Sequence, residues 1–391
     1  MPVGFDLLWL LVLPVLFALG WFSARVDMRH VVKDAKALPQ EYYKAVESLL
    51  NHDSEEAVQN FLDVLRLSPE TVEVNFTLGN VLRKRGDVER AIRVHQNLVS
   101  REDLPLDVRE KARFELAQDF VQAGIFDRAE QLLTELLNTR HAVAARKHLL
   151  SLYPSVQEWD KAFEMANAVE QETGQSYQVQ KAHFLCMAAQ QDVATGRIEQ
   201  AIQKIQQAKQ INPNAIRPLL LQAEIEAGQG LWQTAVSTLT QVAKQHDEAI
   251  RLVAPMILKI TQEAAQTEVG FAWIEKIPSD LLGVDALENV VNWYVQQNNH
   301  KQALEYARSH WQKQPDLARL GLWLRTATEI GQGTERELAQ TLLHSLGGQL
   351  RKEAKYRCQG CGFHLKRYSW QCPGCLNWES FSTYRADEKP F

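Results

Sequence analysis

The residues best able to do chemistry lie together near the end of the sequence, in "YRCQGCGFHLKRYSWQCPGCLNWESF", residues 356–381. Cys358, Cys361, Cys372 and Cys375 form two Cys-x-x-Cys pairs with ten residues between them. Four thiolates delivered by two tight turns suit a single tetrahedral ion, with bonds of about 2.3 Å if it is zinc. Gly360, Gly362 and Gly374 free the backbone to aim N–H groups at the sulfurs, which holds and tunes such a site. The expected cofactor is therefore one metal ion, iron or zinc, since both accept a four-cysteine tetrahedron. A module of about 35 residues also needs such a staple in order to fold. Its basic and aromatic neighbours (Arg357, Lys366, Arg367, Tyr368, Trp370, Trp378) allow a nucleic-acid reading, but the chain's net charge of −5 opposes one.

No other chemistry stands out. The sequence has no His-Glu-x-x-His, no phosphate-cradling glycine loop, no Gly-x-Ser-x-Gly and no dinucleotide fingerprint. Neither catalytic nor cofactor-binding residues are assigned, and the reading is of a protein that is not an enzyme. The eleven histidines are scattered singly and read as surface or satisfied core residues. Cys186, in "KAHFLCMAAQQ", reads as a buried structural thiol.

The elements that must carry the cysteines are helices. "TVEVNFTLGNVLRKRGDVERAIRVHQNLV", from Thr71, has Leu78-Gly79 on a first helix, a turn at Gly86-Asp87 and Ala91 on a second. This is the pattern of the 34-residue tetratricopeptide repeat. The small alanine, where two helices cross closely, recurs at Ala57, Ala91, Ala129, Ala162, Ala201, Ala235, Ala303 and Ala339, with a degenerate unit near Ala272. Turn glycines recur at Gly86, Gly124, Gly196 and Gly230, and prolines close units at Pro69, Pro213 and Pro315. The expected fold class is all-α: about eight or nine helical hairpins in a right-handed superhelix, since one hairpin cannot bury its apolar face alone. Such an array offers an extended surface for proteins or peptides. The run Arg83-Lys84-Arg85, beside Asn80, reads as a solvated face, with contact to an acidic partner as the alternative.

At the other end, Phe5 to Phe22 is an apolar run broken only by Asp6, long enough as a helix to reach across about 27 Å. Arg25, Arg29, Lys33 and Lys36 follow it and nothing basic precedes it, so the rule that basic flanks stay in the cytoplasm puts the N-terminus outside. The expected organisation is an N-terminal transmembrane anchor over 1–24, a juxtamembrane linker over 25–37, the repeat array over 38–345 and the cysteine module over 346–391. From Leu346 onward there are eight Lys/Arg and four Asp/Glu, +4, which leaves −5 − 4 = −9 for the rest. The module is expected to fold back on the last repeats, because terminal repeats need a cap.

"CQGCGF" and "CPGC" resemble the knuckles of rubredoxin, an iron protein, although rubredoxin knuckles lie farther apart and Leu376 replaces their glycine. A zinc ribbon fits the same spacing, and the Cys and Trp pattern is also similar to the zinc finger of RadA-type repair proteins. As a whole, the chain resembles the lipopolysaccharide assembly protein B family (LapB/YciM) of Gram-negative bacteria. The carrying stretches are "TLGNVLRKRGDVERAIRVHQNL", "AGIFDRAEQLL" and "YRCQGCGF…WQCPGCLNW". The resemblance implies a single-pass inner-membrane adaptor, N-terminus periplasmic and body cytoplasmic, that restrains lipopolysaccharide synthesis. It further implies as partners the membrane protease FtsH, its client the LpxC deacetylase and other lipopolysaccharide assembly or signalling proteins, with no nucleic acid. The alternative from another class is a membrane-tethered, rubredoxin-like electron-transfer protein.

Overall fold

The computed structural model describes residues 72–350 and 356–388. The expected anchor, the linker and the first repeat with Ala57 and Pro69 lie outside the described residues. Among the described residues no helix is long and apolar enough to cross a membrane.

Among the described residues sixteen α-helices follow one another, the odd-numbered opening and the even-numbered closing successive repeats. They are α1 (Val72–Lys84), α2 (Val88–Ser100), α3 (Leu106–Gln122), α4 (Phe126–Glu135), α5 (Ala142–Ser155), α6 (Trp159–Thr173), α7 (Gln178–Ala194) and α8 (Ile198–Ile211). Then come α9 (Arg217–Gly228), α10 (Trp232–Gln245), α11 (Ile250–Glu263), α12 (Thr267–Ile274), α13 (Val284–Gln296), α14 (His300–Lys313), α15 (Leu317–Ile330) and α16 (Gly333–Leu350). The chain packs as two units that divide between Leu152 and Tyr153.

The repeat markers do the packing work expected of them. Ala91, Ala129, Ala162, Ala201, Ala235 and Ala303 are each fully buried, and Ala339 nearly so. Each of the first six is the fourth residue of its closing helix, where a larger side chain would hold the helix pair apart. The degenerate unit corrects the expectation around Ala272, which is exposed; the fourth residue of α12 is Gly270. A Cβ there would come within 2.3 Å of Thr261 Oγ1, so this crossing is tighter still and takes glycine in place of alanine. Gly79 on α1 serves the same end in another way: a Cβ would meet the His95 ring at 2.4 Å.

Seven of the eight described helix pairs share one turn shape; between α15 and α16, Gly331 holds φ −67° instead. Gly86, Gly124, Gly196 and Gly230 hold φ between 74° and 85°. Gln157, Ala265 and Asn298 take the same left-handed position at 61°, 54° and 57°. The conformation is thus kept where glycine is not, at a cost of about 1 kcal/mol for a residue with a Cβ.

In the first unit the basic run divides: Lys84 and Arg85 are exposed, as expected of a solvated face, and Arg83 is not. Arg83 is bound by Glu115 at 2.6 Å, Asp119 at 2.8 Å and Asn80 at 2.6 Å, so it ties α1 to α3. The other carboxylate oxygen of Asp119, fully buried, meets His95 Nδ1 at 2.5 Å. In the second unit one apolar core runs from Leu220 on α9 to Leu322 on α15, and Trp370 of the cysteine module packs against it.

Candidate metal centre

The cysteine module is built from little secondary structure. Strands β1 (Tyr356–Arg357) and β2 (His364–Leu365) pair antiparallel around the first knuckle, and Gln371 bridges Trp378 around the second. The two turns match. Gly362 N–H donates to Cys358 O at 3.0 Å and Leu376 N–H to Cys372 O at 2.8 Å. Gly362 sits at φ 77° and Leu376 at φ 60°, so the leucine that replaces the second glycine adopts the glycine conformation. Gly374 is required for space, because a Cβ would lie 3.0 Å from the Phe363 ring.

The four sulfurs converge. Cys358 and Cys375 are 3.7 Å apart, Cys361 and Cys372 are 3.6 Å apart, and all four lie within 4.8 Å of one another. A tetrahedron with bonds of about 2.3 Å has edges of about 3.8 Å. The donor set therefore fits one metal ion without rearrangement. The Ser380 hydroxyl, 3.3 Å away, and the N–H groups of Cys361 and Gly360 bring the Cys358 thiol down to about 6. These are the groups that would support a bound thiolate. Cys358 and Cys372 are buried and Cys361 is exposed, so one edge of the cluster faces solvent. Cys186 is not part of the cluster, and burial pushes its thiol up to about 12.

The module does more than cap the final repeats. It lies along the opening helices of successive repeats in the second unit, from α7 to α15, and its polar contacts are built from side chains that recur one repeat apart. These side chains are His183, Arg217, Arg251 and Asp285, each 34 residues after the last. His183 stacks on Trp378 at 4.4 Å between ring centroids, and its Nε2 lies 3.0 Å from Glu379. Its Nδ1 faces Arg217 at 3.1 Å. Arginine can only donate, so Nδ1 accepts, the proton sits on Nε2, and the ring is neutral. Burial holds the His183 pKa below its usual value against the pull of Glu379. Arg217 lies near the rings of Trp370 and Trp378, at 5.8 and 6.0 Å.

Arg251 pairs with Glu388 inside the interface, their side chains 3% and 1% exposed, and lies 3.8 Å from the Tyr384 ring. The other oxygen of Glu388 accepts from Val284 N–H at 2.7 Å, at the start of α13. Asp285 takes Arg385 at 2.8 Å and the Tyr356 hydroxyl at 3.2 Å. The next residue in this series, Arg319, turns inward instead: it pairs with Asp316 and donates to Leu282 O at 2.6 Å.

Sequence reasoning named the four cysteines, and the structure brings them together. It missed the docking residues, because each is one polar residue among several in its helix. The signal was present all the same: polar residues recurring with the period of the repeat, 183, 217, 251 and 285, on positions that elsewhere would be apolar or solvent-facing.

An all-α array of tetratricopeptide type with a four-cysteine module laid along its own opening helices defines a scaffold class with a metal-type module built in. The tetratricopeptide repeat family matches residues 77–108. The chain is homologous along its whole length to lipopolysaccharide assembly protein B. It is 29% identical to the Escherichia coli K12 protein over 97% of this chain and 98% of that one. It is 28% identical to the Haemophilus influenzae protein over 96% of this chain and 97% of that one. Solved structures that resemble it include MamA from Desulfovibrio magneticus, 15% identical over 44% of this chain and 94% of that one, with a TM-score of 0.30. A tetratricopeptide repeat protein from Parabacteroides merdae is 14% identical over 70% and 98%, with a TM-score of 0.34. Neither score supports further argument.

Proposed function

We propose that the protein is a non-enzymatic adaptor in the control of lipopolysaccharide assembly, anchored in the inner membrane through residues 1–24 with its repeats in the cytoplasm. The observation that carries this reading is the end-to-end homology to lipopolysaccharide assembly protein B, which includes both the repeats and the cysteine module. In this reading Cys358, Cys361, Cys372 and Cys375 hold one metal ion that keeps the module folded. The module keeps the second unit in register, and the exposed repeat surfaces recruit partners. The adaptor brings the LpxC deacetylase to the FtsH protease and so restrains lipid A synthesis.

The test is the lifetime of LpxC. In cells depleted of this protein, LpxC should persist after synthesis is blocked, and re-expression should restore its FtsH-dependent loss. Re-expression without residues 1–24 should not. If LpxC turnover ignores the protein altogether, the recruitment reading is wrong; if the anchorless form works normally, the membrane part is wrong.

A further inference from the structure

Beside the docked module, the opening helices α7 and α9 leave a slot that neither the repeats nor the module fills. Its inner part, about 180 Å³, is lined by Arg217, Leu220, Met256 and the module's Tyr368 and Trp370. Its outer part, about 340 Å³, runs between α7 and α9 past Val193 and Ile225 to Ile198. Gln190, Leu221 and Glu224 line both parts, so the two are continuous. The outer volume is at the small end of ordinary ligand pockets.

The polar groups are unevenly placed. Arg217 is 7% exposed, and among the described residues it makes no ion pair. Its hydrogen bonds go to neutral acceptors: His183 Nδ1, Met187 Sδ and Gln190 Oε1. A buried cation of this kind is costly without a close counter-charge, and the two tryptophan faces and the Glu224 carboxylate, which is beyond ion-pair reach, offset only part of that cost. Because Gln190 spends its oxygen on Arg217, its amide N–H groups are left to donate. The outer part offers Val193, Ile198, Leu221 and Ile225 instead. Donors and positive charge thus collect at one end, and apolar wall at the other. Glu224 lines both parts, and its carboxyl, held above the usual range by desolvation, faces the same space and disfavours a second anion there when ionised.

We propose that this slot binds an amphipathic anion, with a carboxylate or phosphate head on Arg217 and Gln190 and a linear apolar tail along the α7–α9 seam. Such a ligand touches the repeats and the cysteine module together, so its binding tightens the docking of one on the other. The inference is independent of which proteins the adaptor recruits.

The experiment is calorimetric titration of the full-length protein in lipid nanodiscs, with empty discs subtracted, using decanoate, decyl phosphate and 1-decanol. The acid and the phosphate should saturate, and the alcohol should bind at least about tenfold more weakly, the difference of one charge-assisted contact. Whichever of the two anions is tighter separates a fatty-acid-like from a phospholipid-like ligand. Leu221→Trp should block the slot, and Glu224→Gln, an exposed change, should tighten both anions by about threefold or more. Arg217→Gln should erase the preference for the acid over the alcohol. Equal binding of alcohol and acid, indifference to both Glu224→Gln and Leu221→Trp, or no saturable heat below about 1 mM, the weakest affinity worth the name, overturns the proposal. So does a slot that takes up only an added polypeptide.

Discussion

Replacing Glu388 by alanine tests whether the module's tail truly clamps the repeats. Glu388 spends one oxygen on Arg251 and the other on the Val284 N–H at 2.7 Å. Its removal leaves the Arg251 guanidinium buried with only the Asp280 carbonyl at 2.8 Å and the Tyr384 ring. Breaking a buried pair by deleting one partner costs about 3–5 kcal/mol, and the lost helix-start bond adds about 1 kcal/mol. At about 1.4 kcal/mol per factor of ten, docking of the tail weakens by roughly a thousandfold to ten-thousandfold. Hydrogen exchange of the amides over 356–388 and at the start of α13 should rise accordingly, with α1 to α4 unchanged. A double-mutant cycle is built from Glu388→Met and Arg251→Met, each alone and the two together. The double variant should recover most of the loss, because an apolar pair of similar size replaces a buried ion pair at little cost. Unchanged exchange in Glu388→Ala, or a double variant as unstable as the single, would refute the clamp.

Other outcomes follow from the same geometry. Cys372→Ser should release the metal, measured by elemental analysis, and raise exchange in α7, α9, α11 and α13, which the module covers. Burial lowers the His183 pKa, so docking is fully stable above the usual histidine value and weakens as pH falls below about 6.5. His183→Gln, which keeps one donor and one acceptor, should flatten that limb of the melting-temperature profile. Ala265→Gly and Leu376→Gly relieve left-handed backbone and should each stabilise by up to about 1 kcal/mol in denaturant melts. Gly79→Ala should destabilise by about 1–3 kcal/mol, because the His95 ring already occupies the space.

How much of this was legible in the sequence depends on how local each signal is. The cysteine pairs are local, since spacing alone fixes which sulfurs can meet. The alanine markers are nearly so, because every repeat poses the same packing problem to the same position. Gly270 escaped the pattern because its crossing is closer than the rest, and only the neighbour, Thr261, reveals that. Arg83 looked like one member of a basic run, and its carboxylate partners lie 32 and 36 residues away. The docking residues were hardest. Their meaning comes from a surface up to 196 residues downstream, and in a single helix each looks like an ordinary polar residue.

That distance has a consequence for how the protein is made. The contact between His183 and Glu379 joins residues 196 apart in the chain. At roughly 5–20 residues per second, the opening helices of the second unit leave the ribosome about 10–40 seconds before the segment that will cover them. During that interval a row of polar residues set in apolar helices stands bare. A chain cut short before Trp370 keeps that row bare for good. The cysteine module, made after the helices it covers, closes over them only once it has itself been made and folded.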